Sequence, residues 1–258
     1  MRTDSTPKSI LITGAGSGIG AGIALELSRQ GHVILVSDLN LAGAGEVVEA
    51  IRSQGGQAEA IRLDVTSDES VEALLGQLER PVDVLVNNAG LQHVEALETF
   101  PMEKWELLVQ VMLIGVARLT RALLPGMRKQ GFGRIVNIGS IHSLVASAYK
   151  SAYVSAKHGL IGMSKTIALE TADADITINT ICPTYVKTPL VEKQIADQAR
   201  AHGISPEQVV ETIMLKPMPK GVFISFEELA GITAFLISPT ARNITGQAIT
   251  VDGGWTVQ

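Results

Sequence analysis

"SILITGAGSGIGAGIALELSRQ", residues 9–30, changes character part-way along. Residues 9–14, "SILITG", are a short apolar run of strand type. From about residue 18 to residue 30 the apolar residues recur at helical spacing. Between the two, Gly14, Gly18 and Gly20 fall at a G-x-x-x-G-x-G spacing. Glycines there let the main chain approach a pyrophosphate, and the new helix offers free N–H groups and a positive dipole end. Tight turns also need glycine, so the position between strand and helix is what points to a dinucleotide.

The same alternation continues outward. Strand-like runs fall at 32–38, 58–65, 82–90, 133–140, 176–183 and 247–254; helical patterns fall near 41–54, 67–79, 102–130, 151–173 and 227–237. Strands this apolar are covered on both faces, which implies a parallel sheet between helix layers. The fold class is therefore α/β, a doubly wound parallel sheet of Rossmann type in a single domain over residues 1–258. Residues 184–225, carrying Pro189, Pro206, Pro217 and Pro219, form the one long interruption, and a connection of that length suggests a substrate lid.

Composition narrows the function. The 258 residues are 46% hydrophobic and 18% charged, enough to bury a large core. The net charge of −5, without a basic block, argues against nucleic acid or an anionic membrane as partner. The single cysteine, Cys182, excludes an intramolecular disulfide and reads as a buried thiol. No signal-peptide pattern and no apolar run of about 18 residues is present, so the expected setting is soluble and cytoplasmic.

Asp38 ends the second strand, where it can accept hydrogen bonds from an adenosine ribose; Leu39 and Asn40 bring no positive charge for a 2′-phosphate. That favours NAD over NADP. Asp64 and Val65 in "LDVT" can flank an adenine, and "NNAG" (Asn87, Asn88, Ala89, Gly90) brings small residues near the cofactor.

Hydride chemistry needs a proton carrier. Tyr153 has Lys157 one helical turn later, and an ammonium there would favour the tyrosinate and could also hold the nicotinamide ribose. Tyr149 has Tyr153 at its own +4 position instead, so Tyr153 is the expected acid/base and Tyr149 a wall or packing residue. Ser140, ending "GRIVNIGS", can hydrogen-bond the substrate oxygen.

"TGAGSGIG" (13–20), "NNAG", Ser140 with Tyr153-x-x-x-Lys157, and "GQAITVDGG" (246–254) cover almost the whole chain, and in these the sequence resembles the short-chain dehydrogenase/reductase family. The resemblance implies a Rossmann-type fold, nicotinamide-dependent hydride transfer and a homotetramer. It extends the cofactor set to Thr13, Ser17, Ile19, Pro183, Val186 and Thr188. A closer likeness to family members acting on short 3-hydroxy acids lies in "GLQHV" (90–94), "SIHSLVASAYKSAYVSAKHG" (140–159), "TPLVEKQI" (188–195) and "DGGWTVQ" (252–258). It implies an acid site from Gln92, Ser140, His142, Lys150, Tyr153 and Gln194, with Lys150 on the carboxylate. Physical reasoning agrees, because a buried carboxylate needs partners. As in some relatives, Gln258 would lie near a structural divalent ion.

Two departures stand out. The family usually carries an asparagine on the long helix that holds a relay water; "LLVQVMLIGVARLTRALLPGM" (107–127) has Met112 there, on the apolar stripe of Trp105, Leu108, Val116, Leu119 and Leu123, with Gln110 facing elsewhere on a regular helix. Thr184, Tyr185 and Lys187 stand where the acid-active members usually have glycine, tryptophan and an apolar residue; Tyr185 keeps an aromatic wall. The rival readings are the same hydride chemistry on a neutral alcohol, diol or carrier-linked ketone, and a non-catalytic NAD-binding sensor, which only Met112 suggests.

Overall fold

The computed structural model describes residues 7–257, so Gln258 and the divalent-ion expectation attached to it lie outside the described residues. Seven parallel strands run in the order β3-β2-β1-β4-β5-β6-β7: β1 Ser9–Thr13, β2 Val33–Asp38, β3 Gln57–Arg62, β4 Val84–Asn87, β5 Phe132–Ile138, β6 Asp175–Pro183 and β7 Ala248–Val251. Helices α1 Gly18–Arg29, α2 Leu41–Ser53 and α9 Phe226–Leu236 cover one face. The other face is covered by α3 Asp68–Gln77, α5 Gly115–Gln130 and α6 Ser151–Glu170.

Side chains of a strand alternate between faces, and β1 feeds both layers accordingly. Ile10 and Ile12 join Ile23, Leu27 and Leu229 on one side; Leu11 joins Leu119, Leu123 and Met127 on the other. Chain order reverses at the centre, where β1 has β2 on one flank and β4 on the other. In open α/β sheets ligands bind outside the carboxyl ends of the strands at such a switch point.

Residues 102–130 are long and apolar enough to cross a membrane by length and composition. Leu119, Leu123 and Met127 of this segment are buried against the sheet, which explains the apolarity as core packing. The segment is not the regular helix expected: α4 Met102–Val109 and α5 are joined by a π-turn over Gln110–Ile114, closed by the Gly115 N–H on the Gln110 carbonyl. The extra residue per turn changes which side chains share a face. Leu108 and Met112 pack with Phe100, while Leu119 and Leu123 belong to the sheet core.

The stretch 184–225 contains helices that the sequence reading did not assign: α7 Pro189–His202, α8 Pro206–Val209 and a π-turn over Val210–Met214. Pro189 and Pro206 stand at helix starts, where a missing N–H costs nothing, so they open helices rather than interrupt them. Thr188 caps α7 by accepting from the Val191 N–H at 3.2 Å.

Candidate active site

The glycine turn is built by contact between the ends of β1 and β4. Thr13 Oγ1 accepts the Asn88 and Ala89 N–H groups, each at 3.0 Å, and Asn88 Nδ2 donates to the Thr13 and Gly14 carbonyls, each at 2.9 Å. Gly14 has φ +61°, and a Cβ on it would stand 2.8 Å from Ala89 Cα, so both backbone conformation and space require glycine. Gly14→Ala is expected to destabilise the protein by about 1–3 kcal/mol and to weaken nucleotide binding at least tenfold, readable by thermal melting and cofactor titration. Thr13 and Gly20 hold this turn together from behind, and neither lines a cavity described here.

The amino end of α1 is left open. Its N-cap residue Ser17 makes no side-chain cap, whereas Asn40, Ser67, Thr188 and Ser225 cap α2, α3, α7 and α9. Free first-turn amides at a positive dipole end suit phosphate oxygens. Asp38 is fixed beside them, its Oδ2 accepting from Gly16 N and its Oδ1 from Asn40 N, both at 2.9 Å.

Three cavities run in series over the carboxyl ends of the strands. One of 370 Å³ is lined by Gly14, Ser17, Asp38, Asp64, Val65, Ala89 and Gly90. It shares Ser17, Gly90 and Leu91 with a second of 180 Å³, lined also by Gly18, Asn88, Met112, Tyr153 and Lys157. The second shares Ile19, Tyr153 and Thr188 with a third of 110 Å³. That third cavity is lined by Ser140, Gln92, His142, Lys150, Tyr185 and Gln194, with Pro183 and Val186. The residues expected at the adenosine, nicotinamide and acid ends thus line one trough in that order. Ser17, at the open end of α1, lines the first two of these cavities. Tyr153 stands where the second and third cavities meet.

Tyr149 is not a wall. It is 62% exposed, has φ +65° and lines none of these cavities, because the chain turns sharply there before α6 begins. Its carbonyl accepts the Glu95 N–H at 2.9 Å.

Ser140 lies two residues beyond β5 and caps a 3-10 turn, Ile141–Ser143, its hydroxyl accepting the His142 N–H at 3.2 Å. This turn sends His142 into the third cavity. Burial, then the Lys150 charge, brings the His142 imidazole down to about 4. Lys150 Nζ lies 3.5 Å from His142 Nε2. Lys150 itself is buried, and burial lowers its ammonium below the ordinary lysine range.

Lys157 is on the expected face of α6, 5.7 Å from the Tyr153 ring centroid. Its Nζ, however, donates to the Ile138 carbonyl at 2.6 Å. Burial draws Lys157 down to about 8, opposed by Cys182. Burial likewise raises Tyr153, and the Ser140 hydroxyl beside it is what pulls it back. In this geometry the Ser140 hydroxyl is the neighbour that favours the phenolate, while the Lys157 ammonium, expected to lower the phenol, bonds to the Ile138 carbonyl.

Two residues escaped the sequence reading. Trp255 packs edge-on to His142, with ring centroids 6.1 Å apart, and tilted against Tyr185 at 6.3 Å. It comes from the C-terminal turn, far in sequence from both. Thr184, one of the departures from the acid-active members, lines the third cavity.

A family model for short chain dehydrogenases matches residues 8–199. The chain belongs to the short-chain dehydrogenase family. It is 44% identical to the D-beta-hydroxybutyrate dehydrogenase of Rhizobium meliloti (strain 1021), over 97% of this chain and 99% of that protein. It is 42% identical to the enzyme of the same name from Cupriavidus necator, over 97% and 98% of the two chains. Among solved structures it is similar to an actinorhodin polyketide ketoreductase with NADPH, at a TM-score of 0.93 and 34% identity, covering 98% of each chain. This short-chain dehydrogenase is thus an oxidoreductase using a nicotinamide cofactor, with relatives that act on both acids and carrier-linked ketones.

Within this family member, Met112 is almost wholly buried among Phe100, Leu108, Ala152 and Ala156, at the wall of the 180 Å³ cavity. Met112→Asn is expected to cost about 2–5 kcal/mol by loss of apolar packing, seen as a lower melting temperature. The kcat of the variant measured alongside gives the catalytic consequence of the departure.

Proposed function

We propose that the protein catalyses the NAD-dependent, reversible oxidation of D-3-hydroxybutyrate, or a close short-chain 3-hydroxy acid, to the 3-oxo acid. The observation that carries this is Lys150: a buried ammonium lining the same cavity as Ser140 and Tyr153, with no carboxylate ion-pair partner among the described residues. A buried charge without a counter-ion is costly, and the carboxylate of a small acid supplies one. Gln92, Gln194 and neutral His142 complete the grip by hydrogen bonds. Turnover of C4–C6 3-hydroxy acids with NAD, followed by absorbance of the reduced cofactor, tests it; turnover confined to neutral alcohols or carrier-linked ketones rejects it.

In the mechanism we infer, Ser140 donates to the carbinol oxygen and Tyr153 takes its proton as the C3–H bond breaks. NAD, which Ser17, Gly18, Asp38, Asp64 and Gly90 would hold, would supply the hydride acceptor for C3, and loss of hydride and proton turns the C3 alcohol into a carbonyl. Lys157 lines the 180 Å³ cavity beside the Tyr153 ring and would be the residue to hold a nicotinamide ribose there, which would offer its ammonium an alternative to the Ile138 carbonyl. Gln194, on α7, links acid binding to the segment 184–225, which we read as a lid. The proposed assembly is a homotetramer, checked by light scattering.

Asp38 supports NAD. Its carboxylate is held by two amides, and among the described residues no basic side chain joins Leu39 in lining that cavity. NAD is expected to bind at least tenfold more tightly than NADP, and Asp38→Ala to abolish most of that preference in a titration without substrate. Tighter NADP binding to the unmodified protein would reverse the assignment.

A further inference from the structure

We infer that Tyr149 is a positioning residue for acid binding: its left-handed main chain, latched to the Glu95 amide, aims the Lys150 ammonium into the acid cavity and ties it to the loop that carries Gln92. The inference rests on the acid reading above and names what holds two residues of that site in register.

Tyr149, at φ +65°, is the one non-glycine residue with a positive φ among the described residues. A bulky side chain is rarely found there, and such a conformation persists only where the surroundings impose it. The tyrosine ring is mostly exposed, so the ring does not impose it. The main chain does, since the Tyr149 carbonyl accepts the Glu95 N–H at 2.9 Å. Glu95 lies three residues after Gln92, in the loop following β4, so one hydrogen bond joins the Gln92 loop to the residue before Lys150. Gln92 and Lys150 both line the 110 Å³ cavity.

Lys150 needs such guidance. It is the N-cap residue of α6, a place that Ser, Thr, Asp or Asn usually fills, and its side chain makes no cap bond. It is buried, with no carboxylate ion pair among the described residues to draw it inward. Desolvation favours the exposed directions open to a flexible four-carbon stem. Inside, Lys150 Nζ meets His142 Nε2 at 3.5 Å. The direction in which the chain leaves Tyr149 sets the side on which this stem emerges.

The test varies the cost of a left-handed residue at position 149. Tyr149→Ile, whose branched side chain resists that conformation, is expected to raise the KM for 3-hydroxybutyrate about tenfold, with kcat and NAD affinity within about threefold of the parent. Tyr149→Asn and Tyr149→Gly, which accept the conformation, keep the acid KM within about threefold of the parent. Combined with Lys150→Ala, Tyr149→Ile adds no further rise, because it acts through the lysine. An unchanged acid KM in Tyr149→Ile overturns the inference, and so does a further rise in the double variant. A tenfold fall in kcat or NAD affinity overturns it as well, marking a general disturbance. So does a rise in Tyr149→Asn and Tyr149→Gly equal to that in Tyr149→Ile, since the side chain would then be what matters. Each of these results leaves the acid reading standing. Turnover of butane-1,3-diol but not of the acid by the unmodified protein overturns both. Should Tyr149→Ile fail to fold, Glu95→Pro, which deletes the latching N–H, is read for the same split, and an unchanged acid KM there overturns the inference.

Discussion

Lys150→Ala is expected to raise the KM for a short 3-hydroxy acid by about 30-fold or more, with a smaller fall in kcat. Removing one member of a buried, hydrogen-bonded charge pair costs about 2–5 kcal/mol, and each 1.4 kcal/mol is about tenfold in affinity. The carboxylate is held alike in the ground and transition states, so the loss falls mainly on KM. The ratio of kcat/KM for the acid to that for butane-1,3-diol should collapse by the same factor. A ratio that does not move would show that the ammonium faces no substrate charge. The pH dependence has a definite sign. On the proposed function Lys150 would bind the acid only while protonated, and burial has lowered its pKa. KM therefore rises with pH through that lowered value, and the rise disappears in the variant. His142, at about 4, is neutral throughout this range and contributes no such limb. Stability moves the other way. The unfolded chain holds the lysine proton to higher pH than the folded chain, so the unfolded state binds more protons and stability rises with pH as Lys150 discharges. Burying this cation costs the fold, and the variant should melt no lower than the parent.

The fold was legible because its signal is repeated. Seven apolar strand runs and the glycine turn between β1 and α1 point to one architecture, and each strand ends within a few residues of where its run does. The clustering of His142, Lys150, Tyr153 and Lys157 was legible because they lie within sixteen residues, where one turn and one helix arrange them. Other features depended on geometry that spacing does not encode. The π-turn at Gln110–Ile114 leaves no mark in the apolar pattern of residues 102–130, since one added residue merely shifts the stripe. Tyr149 has the same i, i+4 relation to Tyr153 that Tyr153 has to Lys157, yet α6 begins only at Ser151, so the helical argument never applied to it. Trp255 meets His142 through tertiary packing across more than a hundred residues. The helices after Pro189 and Pro206 were hidden because proline signals both a break and a first turn. Which way the Lys157 ammonium points was beyond any spacing argument: a flexible four-carbon stem reaches the Ile138 carbonyl as readily as the phenol.

Tyr153→Phe is expected to lower kcat by about 10²–10⁴, the range supplied by a positioned acid/base, while cofactor affinity stays within about threefold. The substitution removes one oxygen and keeps the ring that packs against Phe100, Leu108 and Ala156, so the trough keeps its shape. The size of the loss follows from the cost of a phenolate in this place. Burial raises the Tyr153 pKa, and the Ser140 hydroxyl is the neighbour that opposes the rise. Oxidation needs the phenolate as base, so kcat climbs with pH toward that raised value, and kcat/KM climbs with it while the Lys150 ammonium is still protonated. Ser140→Ala should move the climb to still higher pH, each unit representing about 1.4 kcal/mol of lost phenolate stabilisation. Lys157→Met tests the remaining charge. Its ammonium is bound to the Ile138 carbonyl in the free protein and is drawn down to about 8 by burial. If ribose binding releases it toward the phenol, the limb shifts upward in kcat, which reports the loaded enzyme, more than in kcat/KM, which reports the free one. Equal shifts would mean that Lys157 already acts on Tyr153 before the cofactor arrives, and activity in Tyr153→Phe within tenfold of the parent would move the proton to another group altogether.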